Sequence, residues 1–194
     1  SLFISSEDLP AVVADLTFKT NFFSYESRWI QLNARSSQGY PDRGANYKVF
    51  AFQLGDMRLG LQDSAVYTDR TFDEEYFFSP IPNILTQMSR YAGKPWSEES
   101  NDNSLTGIFF DCRKSLFYLY AQWLIDDLSA DFLIPEFLRD EFGGEKRIPQ
   151  KWAWSLGGYY DFAFGKLGFY HAGATKYTFE ATRNDLSFPY EYTY

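Results

Sequence analysis

The chain has 194 residues, enough for one domain of ordinary size or for part of a larger closed architecture. Its 18 Lys and Arg residues stand against 26 Asp and Glu residues, and the formal charge of −8 argues against a nucleic-acid partner, which needs a basic surface. With one cysteine and one histidine, we expect neither a metal site nor any other cofactor. Aromatic residues make up 21% of the chain, more than a compact core would hide, so we expect many of them to face something other than water.

The N-terminus and the apolar runs exclude a helical membrane protein. Uncharged runs such as 116–125 span about ten residues, and the longest, 76–89, spans 14, below the roughly 18 that a membrane-spanning helix requires. The chain begins Ser-Leu-Phe-Ile, with no initiating Met and no basic segment before an apolar stretch. We therefore expect a processed chain or a fragment.

Apolar and polar residues alternate with a period of two in three windows, which begin near positions 12, 117 and 151. This period predicts β-strands, because successive side chains of a strand point to opposite faces of the sheet. Each band is about nine to thirteen residues long, which suits a tilted strand that crosses a bilayer. The apolar positions of the last two windows are Phe117, Leu119, Ala121, Trp123, Ile125, Trp152, Trp154, Leu156, Tyr160 and Phe162.

Eight strands are predicted in one antiparallel up-and-down sheet, and short links between them alternate with long, polar ones. The strands are expected at 11–20, 25–35, 47–54, 57–67, 105–111, 116–127, 150–164 and 167–180. The short links are 21–24, 55–56, 112–115 and 165–166, and the long ones are 36–46, 68–104 and 128–149. A transmembrane β-barrel produces this alternation, because one rim has tight turns and the other has extended loops. The sequence therefore predicts such a barrel, either complete or part of a larger one, in residues 1–194.

Two of the long links contain segments that predict short helices, at 83–91 and 135–142, each introduced by a proline, which is favoured in a first helical turn. We expect these helices to fold over or into the mouth of the barrel. A ninth strand is predicted to begin at Phe188, which would leave an odd number of strands. An odd number favours a barrel that continues beyond this sequence, because single-chain bacterial barrels use even numbers. A C-terminal aromatic residue, however, is also how many complete outer-membrane barrels end.

The polar positions of the last two strand windows are the candidate ligand contacts. Tyrosine rings stack on the apolar faces of sugars and hydrogen-bond through their hydroxyls. The candidates expected to line a lumen are Tyr118, Tyr120, Gln122, Lys151 and Tyr159. The candidates expected to contact the membrane are Phe117, Trp123, Trp152 and Trp154.

No catalytic residue is expected. Adjacent strand residues such as Asp126 and Asp127 point to opposite faces, so they cannot act as one acid–base pair without a bulge. His171 has no nucleophile in a recognisable turn motif, and we interpret it as an ordinary strand residue. A glycosidase stays a minor alternative.

Four stretches, at 46–67, 103–107, 120–127 and 151–158, resemble in order and spacing the Wzi-like capsule-assembly family of bacterial outer-membrane barrels. Members of that family are barrels of roughly 18 strands, so residues 46–194 would correspond to part of one. The resemblance implies the outer membrane as location, its lipid and a surface polysaccharide as partners, and attachment, export or passage of the polysaccharide without catalysis. Where the family is expected to have a Glu after the Leu-Gly-Leu strand, this chain has Gln62-Asp63.

A soluble antiparallel β-sandwich, or a lipocalin-like barrel that binds a small ligand or glycan, is the alternative from a different class. The two hypotheses differ in where the apolar bands lie. In the soluble fold these bands meet across a dry interior, whereas in the membrane barrel they face outward.

Overall fold

The structure is a computed structural model that describes residues 12–33, 42–90, 102–127, 151–175 and 178. Eight antiparallel strands form one sheet in chain order, and within the described residues β1 and β8 are its open edges. The strands are β1 (Val13–Lys19), β2 (Phe23–Asn33), β3 (Arg43–Leu54), β4 (Met57–Thr68), β5 (Asp102–Lys114), β6 (Phe117–Asp127), β7 (Lys151–Phe162) and β8 (Gly165–Ala174). Two short helices, α1 (Glu74–Phe78) and α2 (Asn83–Arg90), lie between β4 and β5. Over these described ranges the fold is an up-and-down all-β sheet that is not closed, as in an incomplete barrel.

The eight predicted strands and the helix from Asn83 are confirmed, with shifted bounds. β3 and β5 begin about four residues before the apolar runs that predicted them, at Arg43 and Asp102, because their first residues are polar but still pair in the ladder. Helix α1 was not predicted; it begins after Asp73, whose carboxylate accepts a hydrogen bond from the Tyr76 amide as an N-cap. The predicted helix at 135–142 and the ninth strand lie outside the described residues.

Strand register divides the side chains between two faces, because directly paired residues of an antiparallel ladder point the same way. Trp123 pairs with both Ile108 and Trp154, and these residues belong to the apolar face. Gln122 pairs with Phe109 and Ser155, and these belong to the polar face. Further residues of the apolar face are Phe18, Phe52, Leu59, Leu119, Leu156, Tyr160 and Phe169, and all of them are exposed.

The sheet curves toward the polar face. Leu124 of this face is 0% exposed, whereas its neighbour Trp123 on the apolar face is 45% exposed, and Ala51 and Phe52 differ in the same way, at 1% and 50%. No helix of the described residues covers the polar face at these positions. Side chains crowd one another on the concave side of a bent sheet and spread apart on the convex side, so we infer that the polar face is concave.

Residues 69–90, which we call the flap, cover the apolar face of β2 to β5 at the ends that carry the long links. The chain reverses at Asp69, which has a φ of 63°, and α1 and α2 then contact β2, β4 and β5. Of the two positions expected for this segment, over or into a barrel mouth, the structure shows neither directly; it places the segment on the apolar face of the sheet, where polar side chains bind it. Neither of the two helices has the length and apolar content to span a bilayer.

Arg70 joins the flap to the sheet. Its guanidinium contacts the Asp102 carboxylate at 2.8 Å and the Asp73 carboxylate at 2.6 Å, and it lies over the Tyr67 ring. Tyr76 stacks on Tyr67 and donates a hydrogen bond to Asp102 at 2.8 Å. Burial alone would lower the pKa of Arg70, but the two carboxylates outweigh it and raise that pKa above its ordinary value. The guanidinium therefore stays charged.

Replacement of Arg70 by Met should destabilise the fold by about 3 kcal/mol, because the buried Asp102 carboxylate loses its guanidinium partner. Lys166→Met is the matched control: its ion pair with Asp161 is exposed and should contribute less than about 1 kcal/mol. Urea unfolding of the two variants, followed by tryptophan fluorescence, measures the difference. Equal losses of stability would contradict the assignment of Arg70 as the anchor of the flap.

Gly44→Ala should also loosen the flap. A Cβ at this position would lie 2.3 Å from the Thr71 carbonyl oxygen and 2.6 Å from the Tyr67 ring, so the flap has to shift. We expect a cost of about 1–3 kcal/mol in the same unfolding experiment. Gly165→Ala is the control, because its Cβ would meet nothing within 4 Å; a similar loss in both variants would mean that the steric reason is wrong.

Candidate functional site

A group of tyrosines on the concave polar face is the candidate site. We call Tyr118, Tyr120, Tyr159 and Tyr170 the tyrosine cluster. Tyr118 lies 5.9 Å from Tyr120 and 5.5 Å from Tyr159, measured between ring centroids. Tyr120 and Tyr170 are 6.5 Å apart although β7 runs between their strands. The cluster thus spans β6, β7 and β8.

A glycine in the middle strand lets two of these rings approach each other. Gly157 pairs with Tyr120 on one side and with Tyr170 on the other. A Cβ on Gly157 would lie 2.8 Å from the Tyr120 ring, so a larger residue would displace that ring. The absence of a side chain on β7 therefore allows the rings of β6 and β8 to lean over it.

The cluster lines an open cleft with a volume of about 420 Å³. Its wall is apolar ring surface and backbone, with the tyrosine hydroxyls as polar groups. Two cations flank it: the Arg113 guanidinium lies 5.1 Å from the Tyr118 ring centroid, and the Lys166 ammonium lies 3.8 Å from that of Tyr159. Flat rings with hydroxyls and cations at the edge can hold a sugar by stacking and hydrogen bonding.

The structure places three of the five predicted lumen residues, Tyr118, Tyr120 and Tyr159, in the cleft, and Gln122 and Lys151 do not line it. Gln122 follows Tyr120 on the same face and accepts a hydrogen bond from the Ser155 hydroxyl at 3.3 Å. Lys151 shares the polar face but lies at the opposite end of β7 from Tyr159, and it is buried. Eight residues of a strand correspond to about 27 Å, so Lys151 does not belong to the cleft.

Tyr170 was not predicted as part of the site. The period-two pattern is weak in β8, where several small residues interrupt it, and the face of Tyr170 becomes evident only from its pairing with Gly157. The register of β7 and β8 was therefore the missing information.

The predicted membrane contacts lie on the convex apolar face. The rings of Trp123 and Trp152 pack edge to face with their centroids 6.1 Å apart. The ring centroids of Trp152 and Trp154 are 5.0 Å apart. The Trp154 indole donates a hydrogen bond to His171 Nδ1 at 3.2 Å, so this histidine extends the row of rings. Phe117, half-buried, occupies the same face at the short-turn end of β6.

Carboxylates of the polar face are held in ion pairs. The pairs are Arg28 with Asp15 and Glu26, Arg58 with Asp111, and Lys166 with Asp161. Asp126 is the extra residue at a register shift between Ile125 and Asp127, at the long-link end of β6. In the described part of the chain, no group of three or more His, Cys, Asp or Glu side chains could hold a metal ion.

No protein-family model, no curated protein and no solved structure matches the chain.

Proposed function

We propose that the chain forms part of the wall of a bacterial outer-membrane β-barrel whose concave face contacts a surface polysaccharide during its attachment, export or passage, without catalysing a reaction. One observation carries the proposal: the apolar face is exposed where the flap does not cover it, while side chains of the face with ion pairs and tyrosines bury one another, as on the concave side of a curved sheet. A water-soluble sheet buries its apolar face, whereas the wall of a membrane barrel presents it to lipid.

The height of the apolar band supports a bilayer as its partner. On β7 the band extends from Trp152 to Phe162, ten residues further along the strand. Ten residues correspond to about 34 Å of strand, and a tilt of about 45° reduces this to roughly 24 Å, close to the apolar band of about 25 Å in outer-membrane barrels. Tryptophans near one end, and Tyr160 with Phe162 at the other, match the aromatic girdles of such barrels.

The soluble alternative requires a second apolar layer. A β-sandwich or lipocalin-like barrel would bring the apolar faces of its strands together in a dry core. In the described ranges, the apolar bands belong to one sheet, and no other element covers its convex face at the ends that carry the short turns. The membrane proposal accounts for these exposed rings without a second apolar layer.

The concave face supports a saccharide as the ligand. The tyrosine cluster offers rings, hydroxyls and two flanking cations in an open cleft, which suits a chain that slides or rests on the surface. The ion-paired carboxylates argue against a glycosidase, whose two carboxyl groups need one raised and one ordinary pKa and free access to the glycosidic bond.

We expect Trp123 to contact lipid acyl chains. In proteoliposomes, phosphatidylcholine with brominated acyl chains should quench the fluorescence of the wild-type chain, and Trp123→Phe should reduce the quenched fraction. Trp29→Phe is the control, because this indole is partly buried and donates a hydrogen bond to the Thr71 carbonyl under the flap. A chain that stays monodisperse in buffer without detergent and shows no quenching would establish the soluble alternative.

Tyr159→Ala should weaken saccharide binding at least about fivefold, the loss of roughly 1 kcal/mol that a stacked aromatic ring contributes. The probe is a panel of purified capsular oligosaccharides, with binding measured by isothermal titration calorimetry in detergent. Tyr160→Ala is the matched control, because this adjacent tyrosine points to the convex face. Tyr118→Ala and Tyr120→Ala should behave like Tyr159→Ala; affinities unchanged in all three would remove the tyrosine cluster as the saccharide site.

A further inference from the structure

Helix α2 of the flap has polar side chains toward the sheet and an apolar side chain outward, whereas α1 buries Tyr76 and Phe77. In α2, Asn83 and Thr86 are buried at 0% and 1% exposure, whereas Leu85 between them is 50% exposed. Phe78, the last residue of α1, and Ile81, in the turn between the helices, are also exposed, at 61% and 43%. A helix on a water-soluble sheet has the reverse arrangement, since its apolar stripe faces the core.

Side chains of β2 and β3 satisfy the irregular backbone of the flap. The Tyr25 hydroxyl donates to the Ser79 carbonyl at 3.0 Å, and the Lys48 ammonium donates to the Ile81 carbonyl at 2.7 Å. The remaining donors of this kind are the Ser27 hydroxyl to the Phe77 carbonyl at 2.9 Å and the Trp29 indole to the Thr71 carbonyl at 2.6 Å. Non-helical backbone near hydrocarbon is tolerated only when its carbonyls find such partners in the protein.

The N-terminus of α2 is bound in the same way. The Ile84 amide donates to the Asp63 carboxylate at 3.3 Å, and the Asn83 side chain donates to the Asn46 carbonyl at 3.1 Å. These groups explain why polar residues of β3 and β4 stand on an otherwise apolar face: they bind the flap. The α2 end of the flap therefore directs polar groups toward the sheet, and Phe78, Ile81 and Leu85 remain on the outer surface of the flap.

The start of α2 lies over the row of paired residues that contains Trp152. Asp63, beneath the start of α2, pairs across the ladder with Thr106, Thr106 pairs with Ile125, and Ile125 pairs with Trp152. The residue beneath the start of α2, Asp63, and Trp152 thus belong to one row of paired residues across four strands. Glu74 and Glu75 of α1 are exposed, as expected for a segment with one end in water.

We propose, building on the membrane orientation given above, that the flap is an interfacial element that inserts Phe78, Ile81 and Leu85 between the lipids of the leaflet on the long-link side. An interfacial segment of this kind buries its apolar side chains about 5–10 Å into the boundary between headgroups and acyl chains. The partner is a lipid surface, and the flap would hold the barrel wall at a fixed depth in it.

A bimane label at single cysteines tests this in the full chain, on a Cys112→Ser background, in vesicles of phosphatidylcholine and phosphatidylglycerol. The labelled variants are Phe78→Cys and Leu85→Cys of the flap, with Leu119→Cys of the apolar band as the lipid control and Glu74→Cys as the water control. We expect brominated lipid to quench the label at 78, 85 and 119 at least twofold more than at 74, and iodide to show the opposite order.

The outcomes test the lipid contact of the flap and the membrane orientation of the barrel wall independently. Quenching by brominated lipid at 119 but by iodide at 78 and 85 would overturn the lipid contact of the flap and leave the barrel proposal intact. Quenching by iodide at 119 as well would overturn the membrane orientation itself. Labels at 78 and 85 that neither reagent reaches would mean that protein covers the flap, which also overturns its contact with lipid.

Discussion

The antiparallel ladder is the constraint on which the rest of the structure depends. Because paired residues share a face, a slip of one residue would move every ring of a strand to the other side of the sheet. The short turns at 55–56, 115–116 and 163–164 hold the register where the alternation is strict. The two register shifts, after Gln31 and after Ile125, lie at long-link ends, where the apolar band no longer requires strict alternation.

The flap covers polar residues that stand on the otherwise apolar convex face. Polar residues such as Lys48 and Asp63 would be costly on a surface that faces lipid, and without partners they would be costly in any buried position. They occur on β3 and β4, where residues 69–90 cover them and accept or donate their hydrogen bonds. The sheet thus provides the polar groups, and the flap provides the apolar exterior above them.

The tyrosine cluster depends on the same curvature. Rings on a concave face converge, and the missing side chain at Gly157 gives Tyr120 and Tyr170 room to meet across β7. A flat sheet would keep residues two strands apart near 10 Å, outside ring contact. Curvature and one glycine therefore convert separate strand tyrosines into a continuous aromatic surface.

The sequence by itself determined the eight strands, the short and long links and the side of the sheet taken by residues such as Tyr118 and Trp123, because alternation with period two is a local property of the chain. It grouped Lys151 with Tyr159, although eight residues of one strand separate the two. It did not place Tyr170, whose position depends on which residue stands opposite it in the next strand. Nor did it place the flap, whose hydrogen bonds join residues roughly 50 positions apart, such as Ser27 and Phe77. Register, curvature and these long-range bonds exist only once the strands have paired, and the tertiary structure alone decided them.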